Sequence, residues 1–118
     1  MQQRNNKIAE RNIAKRESEI LSILNHTNKY VLYDPVLKTA SFTYVDLTKD
    51  KSIVFVYVDT YKRECIDKLV EKLNQSRGVF RRELSQNMTT WKVPQIVFRK
   101  DTSIDRMLKI EEIIKKDK

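Results

Sequence analysis

Arg77, Arg81 and Arg82 lie within about one and a half helical turns of one another, and Lys72 precedes them by about the same interval. Among them sits Gly78, the one glycine of a 118-residue chain. If this stretch folds as helix, break, helix, the second helix begins with unpaired N–H groups and the positive end of its dipole. Guanidinium forks beside such donors make a phosphate clamp. Ser76 is placed to cap the second helix; for Glu83, which follows directly, the bland expectation is pairing with a neighbouring Arg or Lys. Tyr61 and Trp91 carry rings on which bases could stack, although core packing is the commoner use of either ring alone.

Other chemistries lack their residues. Average usage would place about eight glycines in a chain of this length. One glycine cannot build a phosphate-cradling loop, which removes P-loop and dinucleotide sites. One Cys and one His exclude a Cys/His zinc centre and an internal disulfide. Cys65, beside Ile66 and Leu69, reads as a small buried hydrophobe. His26, where the first helix ends, reads as a partner for its last carbonyls. Asp101, Asp105, Glu111 and Glu112 alternate with Lys and Arg, as on a solvated face. No catalytic set emerges, and no metal, cofactor or small-molecule substrate is expected.

Lys and Arg number 24 against 16 Asp and Glu, a net charge of +8. The excess is segregated: residues 1–16 carry +4, residues 17–59 carry −2, residues 60–100 carry +6 and residues 101–118 balance. A polyanion binder concentrates charge in this way. Compositional bias toward Lys and Asn explains their abundance but not the segregation. No run of 18 apolar residues is present and no apolar signal core follows Met1, so a cytosolic location without membrane contact is expected. A lone thiol agrees with a reducing interior.

These residues need elements to position them. Ala9, Ile13, Ile20, Leu21 and Leu24 at helical spacing predict a helix over residues 5–25. Lys7, Arg11 and Lys15 recur every four residues on it, a stripe that an ordinary solvated face would also show. Asp34-Pro35 marks a turn. Residues 39–47 read as a strand whose alternation slips, so a bulge near Thr43-Tyr44 is needed to put Ala40, Phe42, Val45 and Leu47 on one face. Residues 52–59 form the second strand of an antiparallel hairpin. A helix over residues 63–75 breaks around Gly78, where the chain's one glycine signals a kink or two abutting helices, and helix resumes to about residue 86. Residues 91–100 form a third strand, held to an edge or opened by Pro94. Thr102-Ser103-Ile104-Asp105 resembles a capping box for a closing helix carrying Met107, Ile110 and Ile114. One domain over residues 1–118 is expected, with fraying at 1–6 and 115–118. The fold class is α+β: a three-stranded mixed sheet with helices on one face, since a right-handed crossover puts them there.

This order resembles a type II KH domain, and particular residues resemble the bacterial ribosome-binding factor A family. Matching stretches are Asp34-Pro35-Val36-Leu37 before the first strand and Lys72-Leu73-Asn74-Gln75-Ser76-Arg77-Gly78-Val79-Phe80-Arg81-Arg82-Glu83-Leu84 across the kink. Val93-Pro94-Gln95-Ile96-Val97-Phe98 and Asp101-Thr102-Ser103-Ile104 with Ile110 match further on. The likeness spans about residues 8–114. It implies a factor that binds the immature 30S subunit through 16S rRNA late in its maturation and assists formation of the 16S 5′ end. The family carries an interrupted Ala-x-Gly kink in place of the two-glycine KH clamp; here that place is Ser76-Arg77-Gly78, and serine departs from the pattern. Loss of the second glycine points to recognition of rRNA backbone and shape rather than base sequence.

The reading is a non-catalytic, cytoplasmic factor, monomeric off the ribosome, with RNA-binding residues at the bend: Lys72, Ser76, Arg77, Gly78, Arg81 and Arg82. Lys62, Arg63, Lys92, Arg99 and Lys100 support them, and Arg4, Lys7, Arg11 and Lys15 form a second contact surface. The alternatives are a basic module that meets an acidic protein partner and a general nucleic-acid binder.

Overall fold

The computed structural model describes the backbone of residues 2–89 and 92–102, with side chains from residue 12 onward. The first helix, α1, runs Gln2–His26. Ile20 and Leu24 on it are fully buried, and Ile13, Leu21 and Ile23 pack at their margins. A wider π turn, Thr27–Val31, ends it, with the Leu32 N–H returning to the Thr27 carbonyl at 3.1 Å. His26 does not meet the last carbonyls as its position suggests. Its ring lies edge-on to Tyr30 at 4.9 Å instead.

The Asp34-Pro35 turn forms as its residues imply. The Asp34 carboxylate accepts the Val36 N–H at 2.9 Å, and a 3-10 turn, Leu37–Thr39, buries Leu37. Strand β1 (Ser41–Leu47) pairs antiparallel with β2 (Ile53–Asp59). Phe42 faces Val58 and Tyr44 faces Tyr57, so Thr43 is left over as the bulge that the slipped alternation requires. Phe42, Val45 and Leu47 thereby share the buried face, with Ala40 just ahead of the strand. In the hairpin turn Lys51 adopts φ 61°, an unusual region for a residue with a side chain.

A 3-10 turn, Arg63–Cys65, leads into α2 (Ile66–Gln75), which abuts α3 (Arg77–Asn87) at Ser76. Cys65 is exposed, not buried. The α-helix begins at Ile66, three residues later than the expected start at residue 63, and Ile66, Leu69 and Leu73 form the buried stripe without Cys65. The third strand, β3, spans Gln95–Lys100, shorter than the expected 91–100. Pro94 has no N–H to pair, so the ladder starts one residue on, where the Gln95 N–H bonds the Ser52 carbonyl at 2.9 Å. β3 runs parallel to β2, giving the order β1-β2-β3 and a mixed sheet with β2 central. Residue 91, the proposed capping box from Ser103 on and the closing helix lie outside the described residues.

The described helices cover one face of the sheet. Where they meet, Phe42, Phe80 and Phe98 form a buried triad with ring centroids 5.2–5.8 Å apart. Each sheet edge has outward backbone donors to satisfy. On β1, Glu17 of α1 accepts the Leu47 N–H at 2.9 Å. On β3, Asn74 does more: its Oδ1 accepts the Phe98 N–H at 2.9 Å and its Nδ2 donates to the Phe98 carbonyl at 3.1 Å. Replacing Asn74 with Ala leaves both half-buried Phe98 groups unpaired. We expect a loss of about 1–3 kcal/mol in denaturant unfolding with an unchanged slope. A loss below about 0.5 kcal/mol, the usual surface value, would show that this clamp does not hold the sheet edge.

Candidate nucleic-acid interface

The bend is made by Ser76, not by the glycine. Ser76 has φ −98° and ψ 6°, its N–H reaches the carbonyls of Lys72 (3.1 Å) and Leu73 (3.0 Å), and its own carbonyl accepts the Val79 N–H at 3.1 Å. Its side chain makes no capping hydrogen bond, contrary to expectation, because the residue does not leave the helical path far enough to aim its hydroxyl at those donors. Gly78 sits in the first turn of α3 with negative φ, and a Cβ built on it meets nothing within 4 Å. The fold does not require glycine there. The position is simply bare on its outer side.

Phe80 and Leu84 turn α3 inward. At about 100° per residue, Arg81 and Arg82 then fall one turn beyond Gly78 and on either side of it. Both are exposed, as are Arg77, which opens the helix, and Gly78 itself. Arg81 is steadied by the Val93 carbonyl at 3.4 Å. The result is a bare patch of helix N-terminus flanked by guanidinium groups. Such a patch can receive an anion in contact with the backbone.

The other basic residues do not all join it. Lys72 is tied to Asp34 at 2.8 Å, and this ammonium holds the Asp34 carboxyl below its ordinary range. Lys100 pairs with Asp67 at 3.6 Å, near the far end of α2. Arg63, half-buried, and Lys62, over the Tyr61 ring at 5.7 Å, also stand there, about 15 Å along the helix from the bend. Arg99 lies over Phe55 at 3.9 Å, on the sheet face turned away from the helices. One side of the molecule therefore does not gather the expected supporting set. Lys92 precedes Val93, whose carbonyl holds Arg81, but its side chain reaches the β1–β2 turn. Its ammonium is anchored on the Asp50 carbonyl. Arg4, Lys7, Arg11 and Lys15 belong to α1; Lys15 is exposed, and the side chains of the other three lie outside the described residues.

Asn74 is the residue that sequence reasoning passed over. The adjacent Leu73-Asn74 pair marks the bend region, yet nothing in spacing distinguishes an amide that fastens a strand from a solvated one. Asp50 is a second such residue. Ser52 and Thr48 donate to its carboxylate, with Lys92 nearby, and these lower its pKa to about 2.

The class these elements define is a small α+β protein with a three-stranded mixed sheet, whose salient exposed feature among the described residues is a basic helix–bend–helix. The Ribosome-binding factor A family model matches residues 4–114. Ribosome-binding factor A of Malacoplasma penetrans is 39% identical over 106 residues, 90% of this chain and 91% of its own. That of Mycoplasma pneumoniae is 42% identical over 98 residues, covering 83% and 84%. A Thermus thermophilus ribosome binding factor A, fitted as coordinates into a cryo-EM map of a 30S complex, superposes with a TM-score of 0.59. It covers 73% of this chain and 91% of its own and is 21% identical, so it supports the shared fold. The chain belongs to the ribosome-binding factor A family.

Two outcomes test this geometry. Gly78→Ala should fold normally and gain up to about 1 kcal/mol in denaturant unfolding, from helix propensity alone. A clear loss of stability would mean that the fold itself needs the glycine. For Asp50, a pKa below the unfolded value means that its contribution is complete above the usual carboxylate range, near pH 4, and fades as pH falls through about 2. Carboxyl NMR should therefore show a midpoint near 2, whereas one near 4 would mean that the turn does not hold Asp50 as described.

Proposed function

We propose that the protein is a non-catalytic assembly factor that binds the immature 30S subunit through 16S rRNA. It acts late in maturation and assists formation of the 16S 5′ end. One observation carries the reading. Exposed Arg77, Arg81 and Arg82 surround bare backbone at Gly78, at the N-terminus of an 11-residue helix. A phosphate can approach that backbone without meeting a side chain, while the guanidinium groups take its remaining oxygens. The Thermus relative fitted into a 30S map and the names of the Malacoplasma and Mycoplasma relatives support a ribosomal partner. Among the described residues no helix is long and apolar enough to cross a membrane, in keeping with work in the cytoplasm.

Such a surface contacts the sugar–phosphate scaffold and so reads RNA shape. A factor of this kind changes rRNA by binding one arrangement more tightly than another, and that preference shifts their populations. No bond need be made or broken.

Co-sedimentation with isolated immature and mature small subunits tests the reading. Binding should favour immature subunits and be lost after ribonuclease treatment. With about six phosphates neutralised, log affinity should fall with log salt at a slope of about −4 to −5. Changing Arg77, Arg81 and Arg82 together to Glu should abolish binding with the unfolding transition preserved, since all are exposed. Retention after ribonuclease would identify an acidic protein partner instead. Equal binding to mature subunits would identify a general nucleic-acid binder.

A further inference from the structure

A second polar surface lies where the end of α1 meets the start of β1. There Asn28, Lys29, Lys38, Ala40 and Ser41 help to wall an open cleft of about 660 Å³. Asn28 is 6% exposed, and its Nδ2 donates to the Ala40 carbonyl at 3.3 Å. That bond sets which way the amide points. Oδ1 is left without a partner among the described residues. A buried acceptor with no donor is uncommon and costly, and a donor carried by a ligand seated in the cleft would satisfy it. Lys29 and Lys38 flank it, and neither has a carboxylate partner among the described residues. Their ammonium groups lie only over the exposed Tyr30 and Tyr33 rings, at 5.2 and 5.8 Å.

The two features select for different parts of a ligand. The cations call for phosphate, while the orphan oxygen calls for a hydrogen-bond donor close to it. A nucleic-acid backbone is almost wholly acceptor. In RNA the ribose 2′-hydroxyl is the exception, and DNA lacks it. We propose that this cleft holds one ribose–phosphate unit of RNA, its 2′-hydroxyl donating to Asn28 Oδ1 and its flanking phosphates facing Lys29 and Lys38. The proposal rests on the rRNA-binding reading and adds to it a means of telling RNA from DNA without reading a base.

The test uses the full chain, labelled with nitrogen-15, titrated with a short single-stranded RNA and with its 2′-deoxy counterpart of equal sequence. The RNA should shift the Asn28 side-chain amide resonances and bind about fivefold more tightly, as one neutral hydrogen bond allows; the deoxy strand should leave those resonances in place. A double Lys29→Ala, Lys38→Ala variant, altered only at exposed positions, should weaken both strands and keep their ratio. Equal shifts with both strands would place the donor on a base and overturn the proposal. Salt-sensitive RNA binding with Asn28 unmoved would overturn it as well, while leaving the bend intact. If the Arg77, Arg81, Arg82 to Glu variant loses small-subunit binding but keeps the RNA-specific Asn28 shift, both readings stand; if it keeps both, the cleft stands and the bend reading falls.

Discussion

The side-chain amide of Asn74 engages the N–H and the carbonyl of one residue, Phe98, and thereby fastens the last turn of α2 to the outer edge of β3. Two residues later the helical path breaks at Ser76. The position of the bend relative to the sheet thus depends on a polar contact between elements far apart in sequence, backed by the Phe42, Phe80 and Phe98 rings beneath it. Hydrophobic burial alone would hold α3 on the sheet yet allow it to slide. Paired hydrogen bonds to one backbone unit fix the register. Glu17 does the corresponding service at the β1 edge. Helix side chains therefore satisfy outward donors on both sheet edges and make them poorer templates for another strand.

Electrostatics then divides the cations by what they already hold. Lys72 and Lys100 are engaged by Asp34 and Asp67, and Lys92 by the hairpin around Asp50. These contacts knit loops to helices at the surface, where each is worth little alone. The arginines of α3 have no carboxylate partner among the described residues and are left to meet an outside anion. Net charge alone does not reveal this division, since a lysine paired with aspartate and an arginine facing solvent count alike in it. The number of phosphates a surface can neutralise follows from the second kind.

Local patterns in the chain carried most of the architecture. The slipped alternation of residues 39–47 demanded a bulge, and Thr43 is that bulge. The run from Ile53 to Val58 could only be a strand, and Pro94 limited β3 to an edge. Errors arose where a one-residue phase or a tertiary partner decided the outcome. Cys65 fell outside the helix by one residue and so off its apolar stripe. Gly78 points in sequence to a break that Ser76 makes, because glycine signals flexibility whether or not its dihedrals use it. The candidate site is legible as a cluster of arginines on a helix, and the structure does place Arg77, Arg81 and Arg82 together on α3. Which distant cations would join it is not legible, since Arg99 and Lys100 are adjacent in sequence and, by strand alternation, face opposite sides of the sheet.

A cryo-EM map of this protein on an immature small subunit addresses the central claim most directly. The account predicts rRNA phosphate oxygens within hydrogen-bonding distance of Arg77, Arg81 and Arg82, with the backbone at Gly78 turned toward the same strand. A bound protein whose α3 N-terminus faces solvent, or rests on a ribosomal protein, would contradict it.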